Sequence, residues 1–122
     1  MPCMRPPWPQ SNERVRGAGA VLAAQYGRAK VREKGPGDLV TEADFASQEL
    51  VRQTVIGAFP DHDFLGEEGE PEVGAGQTRA EYRWIVDPLD GTTNYAHKVP
   101  HFCVSLALEN RSRLVVAAVF DP

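Results

Sequence analysis

The run Trp84-Ile85-Val86-Asp87-Pro88-Leu89-Asp90-Gly91-Thr92-Thr93-Asn94 brings two carboxylates, a turn and two hydroxyls into one short stretch of chain. Ile85 and Val86 read as the end of a buried strand. Pro88 has no N–H to give a ladder, so the strand is predicted to stop at Asp87. Asp90-Gly91 is a turn dipeptide, and Thr92-Thr93 offer hydroxyls and backbone N–H groups where a short helix begins, a place that favours anions. Acids suited to a cation thus stand beside donors suited to an anion, which is how a protein presents a metal ion to a phosphate. Asp-Pro and Asp-Gly are also ordinary turn formers. A plain turn, however, needs neither a second acid after the first nor two threonines after the glycine.

Two more acids fall at element boundaries, Asp44 after Thr41 and Glu67 after Gly66. If they gather with Asp87 and Asp90, each pair of carboxylates about 4 Å apart repels by about 4 kcal/mol at an effective dielectric of about 20. Protonation or a cation must relieve that. Hard oxygen ligands without a thiolate or imidazole set select Mg2+ over zinc or copper. Each residue also has a plainer reading. Thr41-Glu42-Ala43-Asp44 fits a capping box, Glu67-Glu68 fits a solvated acidic turn, and Lys34 fits a solvated lysine closing a helix. His62, His97 and His101 have no spacing for zinc or for a nucleophile–base pair and read as surface or loop residues. No Gly-x-Ser-x-Gly or Walker-type loop is present.

Several elements must position these groups. Val15, Ala18, Leu22, Tyr26 and Ala29 recur at helical spacing, with Ser11 or Asn12 as cap and Lys30 and Arg32 near the end. Lys34-Gly35-Pro36-Gly37 breaks this helix, and Asp38-Leu39-Val40 is a brief extended piece before Thr41, an N-cap. A second helix follows, with a stripe of Ala43, Ala46, Ser47, Leu50, Val51, Val55 and Ala58, and ends before Pro60. His62 to Leu65 is a short strand, and residues 70–81 lack any period and read as a mobile surface loop. After the Tyr82–Asp87 strand, Phe102, Val104, Leu106 and Leu108 alternate with smaller residues, and Leu114 to Phe120 forms a second arm of a β-hairpin. Val115 to Phe120 is almost continuously apolar, the mark of a strand covered on both faces, yet only two residues follow it, so something outside these 122 residues is expected to lie over it. The fold class is therefore mixed α/β, two helices layered on a mostly antiparallel sheet.

With 122 residues, 42% of them hydrophobic, the chain has the length and core of one domain. A formal net charge of -4 gives no basic footprint, so neither nucleic acid nor a membrane is an expected partner. Residues 1–10 are proline-rich, fit neither a signal peptide nor a packed element, and are expected to be disordered. Cys3 and Cys103 have no zinc spacing and read as reduced thiols of a cytoplasmic protein. Asn110-Arg111-Ser112 matches a glycosylation acceptor, which has no meaning without secretion.

Asp38-Leu39-Val40-Thr41-Glu42-Ala43-Asp44, Gly66-Glu67-Glu68 and Asp87-Pro88-Leu89-Asp90-Gly91-Thr92-Thr93-Asn94, in that order, resemble the inositol monophosphatase family over residues 11–122. The resemblance implies an inositol-monophosphatase-like sandwich and a Mg2+-dependent, lithium-sensitive phosphomonoesterase acting on a small phosphorylated substrate, with a homodimer for the full-length parent. It implies that Glu67, Asp87 and the Leu89 carbonyl hold a first Mg2+, that Asp87 and Asp90 contribute to a second, and that Asp44 contributes to a weaker third. Glu67 and Thr92 would orient the attacking water. Gly91, Thr92 and Thr93 would offer N–H groups to the phosphate, Asp90 would also sit near the substrate hydroxyl, and Lys34 would approach the phosphate. Family members are longer, with a Trp-Asp-x-Ala-Ala-Gly-like motif that supplies a further metal ligand. The expectation is thus of the N-terminal portion of such a domain, with very low activity by itself. Rival readings are a phosphatase for a nucleotide 3'-phosphate or sugar bisphosphate, and a non-catalytic metal-binding or interaction fragment.

Overall fold

A computed structural model describes residues 11–69, 71–74 and 80–122, and the proline-rich start lies outside them. In chain order the elements are α1 (Ser11–Gln25), β1 (Val31–Gly35), β2 (Asp38–Thr41), α2 (Glu42–Ala58), β3 (Asp63–Gly66), β4 (Tyr82–Asp90), α3 (Thr92–Ala96), β5 (Cys103–Asn110) and β6 (Arg113–Phe120). A four-stranded sheet runs β3-β4-β5-β6, with β3 and β4 parallel and the other neighbours antiparallel. The expected class, helices layered on a mostly antiparallel sheet, is the observed one.

The alternation of β5 explains the layering. Val104, Leu106 and Leu108 are buried on one face, where they meet Trp84 and Val86 of β4 and the stripes of α1 and α2. From α1 the stripe is Val15, Ala18 and Leu22; from α2 it is Ala43, Ser47, Val51 and Val55. Ala46 and Leu50 are half-buried and Ala58 is exposed, so the α2 stripe is narrower than its sequence predicts. Gly19 is where α1 meets the sheet, because a Cβ there would overlap the Phe120 ring.

Three expectations need correction. Helix α1 ends at Gln25, since Gly27 adopts φ +76 and terminates it; Val31–Gly35 then pairs antiparallel with β2, so Lys30 and Arg32 do not lie on a helix. Tyr26 nevertheless keeps its inward role, stacked 5.6 Å from Phe102. Strand β4 does not stop at Asp87: the pairing passes from Asp87↔Ser105 to Asp90↔Cys103 through a bulge that accommodates Pro88, a position where a missing N–H breaks no ladder bond. His62 is not a free surface residue, because its Nδ1 accepts a hydrogen bond from Trp84 Nε1 at 3.0 Å while its ring stacks on Phe59 and Tyr82. Strand β6 leaves one apolar face bare, as its sequence leads one to expect: Ala118 is buried, whereas Leu114, Val115 and Val119 are exposed.

Of the loop expected over 70–81, positions 70 and 75–79 lie outside the described residues. Glu72 bridges Phe64, and the Gly74 and Ala80 N–H groups donate to Asp63. Those ends are tied to β3. Cys103 is a free thiol. Among the described residues no helix is long and apolar enough to cross a membrane.

Candidate active site

Helix α2 begins at a site that two other segments share. Thr41, in extended conformation, accepts hydrogen bonds at Oγ1 from the Ala43 and Asp44 N–H groups, while Asp44 Oδ2 accepts from Thr41 N at 2.8 Å and Thr41 Oγ1 at 2.7 Å. The capping box read from sequence is therefore formed. Asp44 does more than cap. Its Oδ1 lies 3.1 Å from Thr92 Oγ1, which is also 3.0 Å from the Leu89 carbonyl. A hydroxyl has one proton and directs it to one of these two acceptors, so lone-pair capacity on Thr92 Oγ1 remains for a further donor.

The β4 bulge and α3 are joined by Gly91, whose φ of +92 and ψ of 36 are left-handed. A Cβ there would stand 2.9 Å from the His101 carbonyl oxygen, so only glycine fits both the turn and the close approach of the 101–102 segment. Asn94 Nδ2 fastens the same His101 carbonyl at 3.0 Å. The first N–H groups of α3 consequently open beside the acids, without earlier helical carbonyls to satisfy them.

Glu67 follows β3, and its N–H continues the parallel pairing by donating to the Val86 carbonyl at 3.2 Å. That pairing places Glu67 next to Asp87. The two carboxyls share a hydrogen bond, and this bond, partial burial and the adjacent negative charge hold Glu67 up at about 7, with Lys34 pulling the other way. Two carboxyls that close must share a proton or a cation.

One groove of about 270 Å3 is lined by Glu67, Asp87, Leu89, Asp90, Gly91, Thr92 and Thr93. Seven of the nine residues expected to act together thus meet there. The other two do not line it. Asp44 is buried behind Thr92, its oxygens occupied by Thr41 and Thr92. Lys34, a residue of β1 and not of a helix end, has its Nζ 3.2 Å from the Glu68 carboxylate. Asp90 Oδ2 lies 3.9 Å from Cys103 Sγ. Asp38 and Asn94 also reach the groove, and no role was read for them in sequence. Both belong to motifs quoted above, but neither has a spacing that marks it apart from its neighbours.

Among the described residues no three Asp, Glu, His or Cys side chains close on one point as a ready cage. The donor chemistry still fits Mg2+. It consists of oxygens only, two facing carboxyls that a cation would separate from their shared proton, and a backbone carbonyl beside them.

The sequence pattern of the inositol monophosphatase family matches residues 9–122. An inositol-1-monophosphatase of Rhizobium meliloti is 46% identical over 108 residues, covering 86% of this chain and 40% of the relative. A protein named Nus factor SuhB of Pseudomonas aeruginosa is 42% identical over 111 residues, covering 88% and 41%. A solved IMPase/NADP phosphatase complexed with Mg2+ and phosphate superposes with a TM-score of 0.73 at 28% identity, covering 87% of this chain and 40% of that one. The chain thus spans about 40% of the length of the curated relatives it matches.

Proposed function

The chain belongs to the inositol monophosphatase family, and from that premise we propose that the protein hydrolyses a small phosphate monoester, such as an inositol monophosphate, with Mg2+ and an activated water. The observation that carries this reading is the hydrogen-bonded pair of Glu67 and Asp87 facing one another in a groove that also holds the Gly91-Thr92-Thr93 turn. Glu67, Asp87 and the Leu89 carbonyl would hold one Mg2+, with Asp90 beside Asp87 available for a second. When bound, Mg2+ supplies Lewis-acid polarisation of the phosphoryl group and lowers the pKa of a coordinated water.

The remaining work falls to the chain itself. Asp44 fixes Thr92, whose free lone pair can accept from the attacking water and aim it. Glu67, beside the same water, would accept from it and help to aim it. The N–H groups of Gly91, Thr92 and Thr93 can donate to phosphate oxygens. Asp90, on the exposed rim, can accept from a hydroxyl of the alcohol. Lys34 adds positive charge felt by Glu67, partly offset by its pairing with Glu68, and we assign it to the field around the phosphate.

The test is phosphate release by the complete protein from a panel of inositol phosphates, nucleotide 3'-phosphates and sugar bisphosphates. Release should require Mg2+, vanish on chelation and vanish in Asp87→Asn. Absence of release from every ester at saturating Mg2+ would overturn the proposal. A second reading, a non-catalytic interaction role, is favoured by the relative named Nus factor and by the exposed apolar face of β6 at Val115 and Val119. It predicts a partner association that Asp87→Asn leaves intact and Val119→Glu abolishes.

A further inference from the structure

Ser47 and Gln48 occupy core-side positions of α2 where an amphipathic pattern calls for apolar side chains. Ser47 has no exposure to solvent. A polar group removed from water is retained at little cost only if it is hydrogen-bonded, and both of these are bonded to the acid-bearing segments. Ser47 Oγ donates to the Pro88 carbonyl at 2.7 Å. Pro88 lies in the β4 bulge between Asp87 and Asp90, where the ladder skips a step. The serine supplies the partner that the sheet does not.

Gln48 makes a two-way clip. Its Oε1 accepts from the Glu68 N–H at 2.9 Å, and its Nε2 donates to the Glu68 carbonyl. This is the exchange that one strand residue makes with another across an antiparallel ladder, performed here by a side chain. Gly66 makes room for it, because a Cβ at that position would overlap the Gln48 carboxamide. The segment carrying Glu67 is therefore held from two sides, by the Val86 carbonyl on the sheet side and by Gln48 on the helix side.

Together with Asp44, which holds Thr92, these residues lie at i, i+3 and i+4 on one helix face, within one turn of each other. Each is bonded to a different segment that borders the groove. The adjacent carboxyls of Glu67 and Asp87 repel when both are charged, so segments free to relax would let them move apart. We propose that Ser47 and Gln48 are positioning residues, fastening from helix α2 the two turns that bear Asp87 and Glu67 so that these carboxyls are held facing each other. Neither residue lines the groove. The consequence for ion affinity rests on the Mg2+ reading given above, while the clips themselves are read without the ion.

The experiment uses the complete protein and the variants Gln48→Met, Ser47→Ala and Gln53→Ala, the last an exposed glutamine of the same helix as control. Amide hydrogen exchange in the absence of metal and Mg2+ titration calorimetry are read beside Tm. Gln48→Met keeps the length and packing of the side chain without its amide, and is expected to speed exchange of the Glu68 N–H about tenfold or more and to weaken Mg2+ binding about tenfold, the usual consequence of losing a supporting partner. Ser47→Ala should weaken Mg2+ similarly, and Gln53→Ala should do neither. If Gln48→Met proves too unstable, Gln48→Ala, which removes donor and acceptor together and favours the helix, decides by the same readings. A lowered Tm with Glu68 exchange and Mg2+ affinity both at the wild-type value makes the residues merely structural and overturns the proposal. A wild-type protein that binds no Mg2+ overturns the metal reading instead, and unchanged Glu68 exchange in Gln48→Met then still refutes the clip.

Discussion

Removing the carboxylate of Asp44 should be more harmful than neutralising it. Asp44 is 1% exposed and accepts three hydrogen bonds, from Thr41 N, Thr41 Oγ1 and Thr92 Oγ1. Asp44→Ala strands these donors. Thr92 can redirect its proton to the Leu89 carbonyl at 3.0 Å, but the Thr41 N–H has no such choice. Counting a lost capping interaction at about 1 kcal/mol and a buried unpaired donor at about 2 kcal/mol gives a destabilisation of about 3 kcal/mol. Asp44→Asn is different. With its amide oxygen toward Thr41, its NH2 faces Thr92 Oγ1, which accepts from it and donates to Leu89. The Thr41 and Thr92 donors stay paired, while the charge assistance is lost and the second N–H of the new amide has no partner assigned, so the cost should be about 1 to 2 kcal/mol, below that of Asp44→Ala. Urea unfolding at constant m value measures both. The two variants also separate stability from chemistry, since in Asp44→Asn the lone pair of Thr92 that could accept from a water is turned to the asparagine. Equal destabilisation by the two variants would refute the redirection of Thr92, and a cost below about 1 kcal/mol for Asp44→Ala would refute the buried network itself.

Three further outcomes follow from the geometry. Because Glu67 holds its proton up to about 7, Mg2+ binding should release a proton and tighten as pH rises through neutrality, which calorimetry in buffers of different ionisation enthalpy detects; an affinity independent of pH would contradict the shared-proton pair. Burial lowers His62 below its ordinary 6.5, with Asp61 and Asp63 opposing. A depressed base is stabilising in its neutral form, so its contribution should be complete above pH 6.5 and be lost as pH falls through 6.5 toward the folded value. His62→Phe should flatten that part of the urea midpoint against pH, and parallel curves would count against the Trp84–His62 bond as the cause. Gly91→Ala meets a left-handed backbone and the His101 carbonyl at 2.9 Å, and should destabilise by about 2 to 3 kcal/mol in thermal or urea unfolding.

The legible parts of the fold were those whose cause is local. The capping box at Thr41 and Asp44, the alternation of Val104, Leu106 and Leu108, and the stripe from Val15 to Tyr26 each depend on residues a few positions apart. Tertiary demands decided the rest. Nothing near Val31 in the sequence announces a strand, because β1 exists through its partner β2 and the turn at Gly37. Pro88 costs the strand one donor, as its sequence predicts, but does not stop it, since β5 resumes pairing beyond the bulge. His62 looked unpartnered because Trp84, the residue that bonds it, lies on the neighbouring strand.

The acid set shows the same division with a chemical consequence. Motif spacing placed Glu67, Asp87 and Asp90 at element ends, and parallel pairing of β3 with β4 turns two of those ends into neighbours, Gly66 opposite Val86 and hence Glu67 beside Asp87. What spacing could not give is which acids face each other and which stand behind. Asp44 and Asp87 look equivalent in a list of carboxylates, yet one is buried and accepts from the Thr41 amide and hydroxyl and from Thr92, while the other faces a carboxyl. A carboxylate already stabilised by several donors gains less from a cation than one facing its like charge, so Glu67 and Asp87 should respond to Mg2+ more strongly than Asp44, whose part runs through Thr92.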